Sequence, residues 1–256
     1  MRRAWLVARS AVLWAGSGIH FAVVCTFIIL MGIVIDPRKN DRPQRIFCRT
    51  ILRLLGARFE ARYAPGFDRT RTSLFVSNHV NAFDPFVVYS AIPQFTRGLE
   101  LESHFNIPIY GWLMHRFGNV PVSENASSPA ELKKLFKRTK EALDKGVSLV
   151  VFPEGTRTRD PLGRIGPFRR GALRLAGQHG IPVLPVAIDG TRFLVRPDCM
   201  AQTHPGQRLV RMRFLPPRAV RPMSAPESKA FMDEVRQDIV SVWEELRVSW
   251  PDRPAT

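Results

Sequence analysis

The sequence predicts an α/β protein, with a largely parallel central sheet flanked by helices and an apolar helical segment at the amino end. Three observations carry this. Beyond Ala57, short apolar runs alternate with amphipathic stretches. Two of those stretches open with helix-capping signatures, and Ala11 to Ile35 contains no Asp, Glu, Lys or Arg. With 256 residues and a hydrophobic fraction of 45%, the chain can bury one sizeable core and carry a short appendage. The expected division is membrane-embedded and interfacial helices over 1–56, a folded α/β body over 57–250 and a disordered tail over 251–256.

The uncharged stretch comes first. Its 25 residues, at about 1.5 Å each, are long enough to cross a hydrocarbon layer of roughly 30 Å. A signal peptide has an apolar region of only about 7–15 residues, and no small-residue cleavage site follows Ile35. Gly16-Ser17-Gly18 and His20 interrupt the run, so a crossing helix and a re-entrant hairpin both remain open. Arg2, Arg3 and Arg9 precede the stretch, and Arg38, Lys39, Arg42, Arg45, Arg49 and Arg53 follow it. This bias places the body on the cytoplasmic side of an inner membrane.

Pro43 to Leu55 reads as a helix with a basic stripe of Arg45, Arg49 and Arg53 opposite Phe47, Ile51, Leu54 and Leu55. That pattern suits either anionic headgroups or packing against the body. Ser73 to Ser77 and Val147 to Phe152 read as buried strands. Ile181 to Ile188 is a third, interrupted by Pro182 and Pro185, and Leu209 to Leu215 a fourth with Arg211 and Arg213 on its wetter face. Ser128-Pro129-Ala130-Glu131 starts a helix that Gly146 ends. Ser224 and Glu227 repeat the capping pattern before a carboxy-terminal helix lined by Phe231, Val235, Ile239, Val242 and Leu246.

The formal net charge of +16 and pI of about 11.0 favour a polyanionic partner, such as phosphate groups or an anionic membrane surface. Part of the excess is a compositional bias toward Arg. Nucleic acid is not expected, because no recognition element and no row of stacking aromatics sits on a basic face. Cys25, Cys48 and Cys199 are too scattered for a disulfide framework or a zinc site, which fits a reducing cytosolic setting.

The segment richest in chemistry is Ser77 to Pro85, where a strand delivers polar groups at its exit. Asp84-Pro85 reads as a cap followed by the first helical residue, so Asp84 can turn its carboxylate back toward His79. Imidazole is a competent base near neutrality, and a carboxylate on its other nitrogen fixes the tautomer. Phe152 to Arg157 follows a second strand; Gly155 and Thr156 offer backbone donors to an anion and Arg157 a planar fork for phosphate. Arg159, Arg164, Arg169 and Arg170 follow, of which the last three read as a solvated charge run.

These segments resemble the glycerolipid acyltransferases that include 1-acylglycerol-3-phosphate acyltransferase. The resemblance runs from about Thr72 to Arg192. Asn78-His79, Asp84 and Pro85 look like the family's catalytic block. Phe152 to Arg157 with Gly166-Pro167-Phe168 and Arg170-Gly171-Ala172 looks like its acceptor-binding block, and Ile181 to Ile188 with Gly190-Thr191 like its later strand block. The resemblance implies that His79, assisted by Asp84, deprotonates a lysolipid hydroxyl that attacks a thioester of acyl-CoA or acyl carrier protein. It implies no cofactor, no metal and no acyl-enzyme. Asn78, Glu154, Gly155, Thr156 and Arg157 are the expected substrate contacts.

Two departures bear on the acceptor. Leu101 to Pro108 lacks the family's Lys-rich character, and Glu124 stands where the family commonly ends a block in Asp-Arg. The leading expectation is 1-acylglycerol-3-phosphate converted to phosphatidic acid. The alternative is a lysolipid with a cationic head, such as lyso-ornithine lipid, and outside enzymes a basic membrane- or nucleic-acid-binding protein.

Overall fold

The computed structural model describes residues 2–36, 41–123, 128–160, 162–169, 171–194 and 209–248. Glu124, Arg170, Cys199 and the tail after residue 250 lie outside them.

In chain order the elements are helices α1 (Arg2–Val34) and α2 (Arg42–Leu54), strands β1 (Arg58–Tyr63) and β2 (Leu74–Ser77), α3 (Asp84–Ala91) and β3 (Thr96–Leu101). After a 3-10 turn (Glu102–Asn106) come α4 (Tyr110–Phe117), β4 (Val120–Val122), α5 (Pro129–Asp144) and β5 (Ser148–Val151). The chain continues through α6 (Gly171–His179), β6 (Val183–Asp189), β7 (Leu209–Phe214) and α7 (Ala225–Val248).

The strands form one sheet in the order β1-β7-β6-β2-β5-β3-β4, parallel throughout except where β6 meets β7. Alternating side chains feed two cores. Phe75, Val150 and Leu184 join residues of α1 to α4 on one face, while Leu74, Leu149 and Val183 join α5, α6 and α7 on the other. This is the expected largely parallel sheet with helices on both faces.

Both capping signatures form as the spacing requires. Ser128 accepts from the Glu131 N–H at 3.2 Å, and Glu227 accepts from the Ser224 N–H at 2.8 Å. Pro185 does not break β6; its carbonyl accepts from Leu215 N at 2.9 Å, just past the end of β7.

Seven strands replace the four expected. β1 carries Arg58, Glu60 and Arg62, β3 carries Arg97 and Glu100, and β4 is three residues long, so none shows an apolar run. Their partners, rather than their own patterns, make them strands. Arg97 is 1% exposed and lies over the Phe95 ring at 3.7 Å and the Phe117 ring at 4.8 Å. It donates to Thr96 O at 2.6 Å, to Gln44 Oε1 at 3.0 Å and to Phe117 O, tying α2 and α4 to β3. Burial brings its guanidinium down to about 10.

The helix α1 runs unbroken through Gly16-Ser17-Gly18, so the re-entrant hairpin does not form. Cys25 and Ile28 are buried, and Trp14, Phe21, Val24 and Ile29 pack on the same core as Phe47, Val87 and Phe117. The Phe21 ring lies 5.9 Å from Phe47 and 6.1 Å from Tyr110. Its opposite side leaves Val12, Ile19, Val23, Phe27, Leu30 and Ile33 exposed. The two alternatives for α2 resolve toward the body. Phe47, Ile51 and Leu55 are buried, while Arg45 donates to Ile92 O at 2.7 Å and Arg49 to Ser90 O at 2.9 and 3.1 Å. Two of the three stripe arginines therefore neutralise carbonyls at the end of α3, where positive charge is favoured.

Candidate active site

The site lies at the carboxyl ends of the adjacent parallel strands β2 and β5, the usual place for ligands in open α/β sheets. β2 ends at Ser77, and the next residue is fixed sideways. The Asn78 amide donates to Ile188 O at 2.9 Å and accepts from Ile188 N at 2.8 Å, continuing the ladder to β6 with a side chain. Asn78 is thus fully buried and engaged with backbone.

His79 follows, its side chain 18% exposed beside a completely buried Asp84. Its Nδ1 stands 2.9 Å from Asp84 Oδ2, which also accepts from Val80 N at 2.6 Å and Asn81 N at 2.7 Å. Asp84 is the first residue of α3 and Phe83 occupies the cap, so the expected cap is displaced by one residue. The backward-turned carboxylate is as expected. A carboxylate accepting two backbone donors is fixed in place, so it orients the imidazole through Nδ1 and leaves Nε2 as the outward nitrogen. The ring is also stacked on Phe152 at the exit of β5, with centroids 4.3 Å apart and planes 23° from parallel.

The β5 loop holds the histidine's backbone as well. Glu154 Oε1 accepts from His79 N at 2.8 Å, and Thr158 N donates to His79 O at 2.9 Å. The other Glu154 oxygen accepts from Gly166 N at 2.9 Å. Desolvation raises the Glu154 carboxyl above its ordinary value of 4.5, against the lowering effect of these two N–H donors. Both Glu154 oxygens are therefore occupied by protein.

Gly155, Thr156 and Arg157 are exposed on the turn that follows. Gly155 has φ +73°, and a Cβ there would stand 2.8 Å from Arg169 Cζ. Arg169 thus lies directly over the turn while remaining exposed to solvent as expected, a proximity invisible along the chain because twelve residues separate it from Arg157. Arg164 behaves as expected, pairing with Asp160 at 2.8 Å on the surface. No group of three or more His, Cys, Asp or Glu able to hold a metal occurs among the described residues.

Comparison with known proteins matches this geometry to a family. The Acyltransferase family profile covers residues 58–189, about half the chain. A chloroplastic 1-acyl-sn-glycerol-3-phosphate acyltransferase of Arabidopsis thaliana is 33% identical over 188 residues, 68% of this chain and 51% of that protein. The chloroplastic counterpart BAT2 of Brassica napus is 37% identical over 118 residues, 46% of this chain and 33% of its own length. The chain thus spans about half of one of these plant relatives and a third of the other. The Pseudomonas aeruginosa 1-acyl-sn-glycerol-3-phosphate acyltransferase is 28% identical over 193 residues, 73% of this chain and 69% of that one. The crystal structure of the acyltransferase PlsC from Thermotoga maritima shares the fold, with a TM-score of 0.81, 21% identity and coverage of 98% of this chain and 100% of that one. By the profile match, which takes in both strand exits and the residues they carry, this chain belongs to the acyltransferase family.

Proposed function

We propose that the chain transfers a fatty acyl group from acyl-CoA or acyl carrier protein to the hydroxyl of 1-acylglycerol-3-phosphate, giving phosphatidic acid. The observation that carries this reading is the His79 Nδ1 to Asp84 Oδ2 contact of 2.9 Å, beside an exposed turn flanked by Arg157 and Arg169. The names of the relatives support the acceptor.

His79 Nε2 takes the hydroxyl proton, and the alkoxide oxygen bonds to the thioester carbonyl carbon. Collapse breaks the carbon–sulfur bond, and the imidazolium returns the proton to the departing thiolate. Asp84 stabilises the imidazolium between these steps. The reaction balances without a cofactor, since the thioester supplies the acyl group as co-substrate. Gly155, Thr156, Arg157 and Arg169 hold the acceptor phosphate, and Asn78 and Glu154 hold the loops in position.

The membrane assignment rests on α1. Within its apolar stretch Val7–Val34, 18 consecutive residues reach a mean hydropathy of 2.3, and its contacts with the body run from Trp14, 6.2 Å from the Phe83 ring, to Gly32 beneath Arg116. A perpendicular crossing would drag α2 and α4, with Arg45 and Arg116, into hydrocarbon. We therefore place α1 along the interface, with its exposed row and Trp112, 61% exposed, toward lipid and the body on the cytoplasmic side of the inner membrane.

The test is acyl transfer by detergent-purified protein to 1-acylglycerol-3-phosphate and to lyso-ornithine lipid. His79→Ala should lose on the order of 10²-fold or more in turnover; a folded His79→Ala protein with near-normal turnover would refute the mechanism. Glu124 favours the second acceptor, because a carboxylate attracts a cationic head. Glu124→Arg should improve use of the phosphate acceptor if phosphate binds there and impair transfer if the amine does.

A further inference from the structure

The two backbone groups of His79 are held by the β5 loop, through Glu154 on the N–H and Thr158 on the carbonyl. What holds Glu154 leads out of the site. Its Oε2 accepts from Gly166 N, and a Cβ at residue 166 would stand 3.2 Å from that oxygen, so glycine lets the two approach without crowding. The carbonyl of this same peptide unit, Ile165 O, accepts from Arg236 Nη2 at 2.6 Å, and Gly166 O accepts from Arg236 Nε at 2.7 Å. One guanidinium fork on α7 thus grips two successive carbonyls and clamps a peptide whose N–H points at Glu154. Ile165 is buried beneath the loop and fixes the rest of the unit. A peptide held by a cation on its oxygen becomes a better donor at its nitrogen, so each bond strengthens the next.

We propose that Arg236 is a positioning residue for His79, acting through the Ile165–Gly166 peptide and Glu154. The inference rests on the reading of His79 as the general base. Arg236 lies outside the stretch matched by the family profile, 58–189. It makes α7 part of the catalytic frame as well as a cover for the sheet. Without the fork, Gly166 N is no longer aimed at Oε2, and a buried carboxylate that has lost one of its two donors no longer fixes the His79 backbone. The ring then leaves its alignment between Asp84 and Phe152, while the substrate-binding turn is untouched.

The experiment uses the full chain in detergent micelles. Arg236→Met keeps the length and removes every donor, and Arg236→Lys restores one. Displacement of a catalytic group by an ångström costs up to about 10²-fold, so Arg236→Met should lower kcat by about 10- to 100-fold, leave both KM values within about twofold, and be partly rescued by Arg236→Lys. In a Glu154→Gln background the same substitution should cost little, because residues in one chain do not add. Hydrogen–deuterium exchange reads the clamp without chemistry: Arg236→Met should speed exchange at the His79 and Gly166 amides. Unchanged exchange there, or losses that multiply with Glu154→Gln, would overturn the proposal. Near-normal turnover of folded His79→Ala would instead sink the reading of the base and leave the exchange result to judge the clamp.

Discussion

At the scale of single residues, the site separates groups that face the substrate from groups that hold the frame. In the proposed reaction Arg157 belongs to the first class. Arg157→Lys keeps the charge and loses the bidentate fork, and a charge-assisted bond is worth about 1.5–3 kcal/mol. The expected result is a KM for the acceptor raised by about tenfold or more, with the thioester KM unchanged, read by steady-state kinetics. Glu154 belongs to the second class and should reveal itself in stability. Its folded carboxyl lies above the ordinary 4.5 because of desolvation, so the folded chain binds more protons than the unfolded one from that value upward. Its contribution is fully present below pH 4.5 and is lost as pH rises through the folded value. Thermal unfolding of wild type should therefore weaken relative to Glu154→Gln as pH rises across that window; a difference in Tm that is flat with pH refutes the assignment. The pairing of His79 with Asp84 was legible in the sequence because they sit five residues apart at a strand exit and a second block, Phe152 to Arg157, follows another strand. The tasks of Asn78 and Glu154 were not, because their partners are backbone groups 110, 75 and 12 residues away, and a polar side chain does not announce whether it serves a substrate or a peptide.

At the scale of elements, helices with capping boxes were read to within a residue or two, since a cap is a local chemical event. The strands β1, β3 and β4 were missed because their charged or short segments become strands only by pairing, β1 with β7, β3 with β5 and β4 with β3. The α1 helix was read as lipid-seeking from its composition, but the body-facing half of its surface could not be separated from the exposed half, both being apolar. This dual use has a measurable consequence. Removing residues 2–36 uncovers Phe47, Phe83 and Tyr110, and each large apolar side chain exposed costs about 1.5–3 kcal/mol. The truncated chain in detergent should unfold about 10 °C or more below the full chain. A truncation that loses membrane retention at unchanged Tm would show that α1 contributes nothing to the body.

At the scale of the whole molecule, the charge of +16 should act on membranes through screened attraction added to the burial of α1. In vesicle flotation, anionic vesicles should retain more protein than neutral ones at low salt. The difference should vanish near ~1 M salt, where the screening length is about 3 Å, while binding through the apolar row persists. Equal retention at low salt would assign the basic excess to composition alone. The sheet order also governs how the molecule comes into being. β1 ends at Tyr63, yet the strand it pairs with, β7, ends at Phe214. At about 5–20 residues per second, the ribosome needs roughly 8–30 s to supply that partner. During the delay β1 must wait unpaired, and its Arg58, Glu60 and Arg62 keep the waiting edge soluble and unattractive to other nascent strands. Synthesis that stops before residue 209 therefore leaves both sequence blocks of the site on strands β2 and β5 with their neighbours β3, β4 and β6, and β1 stranded without the partner that joins it to the sheet.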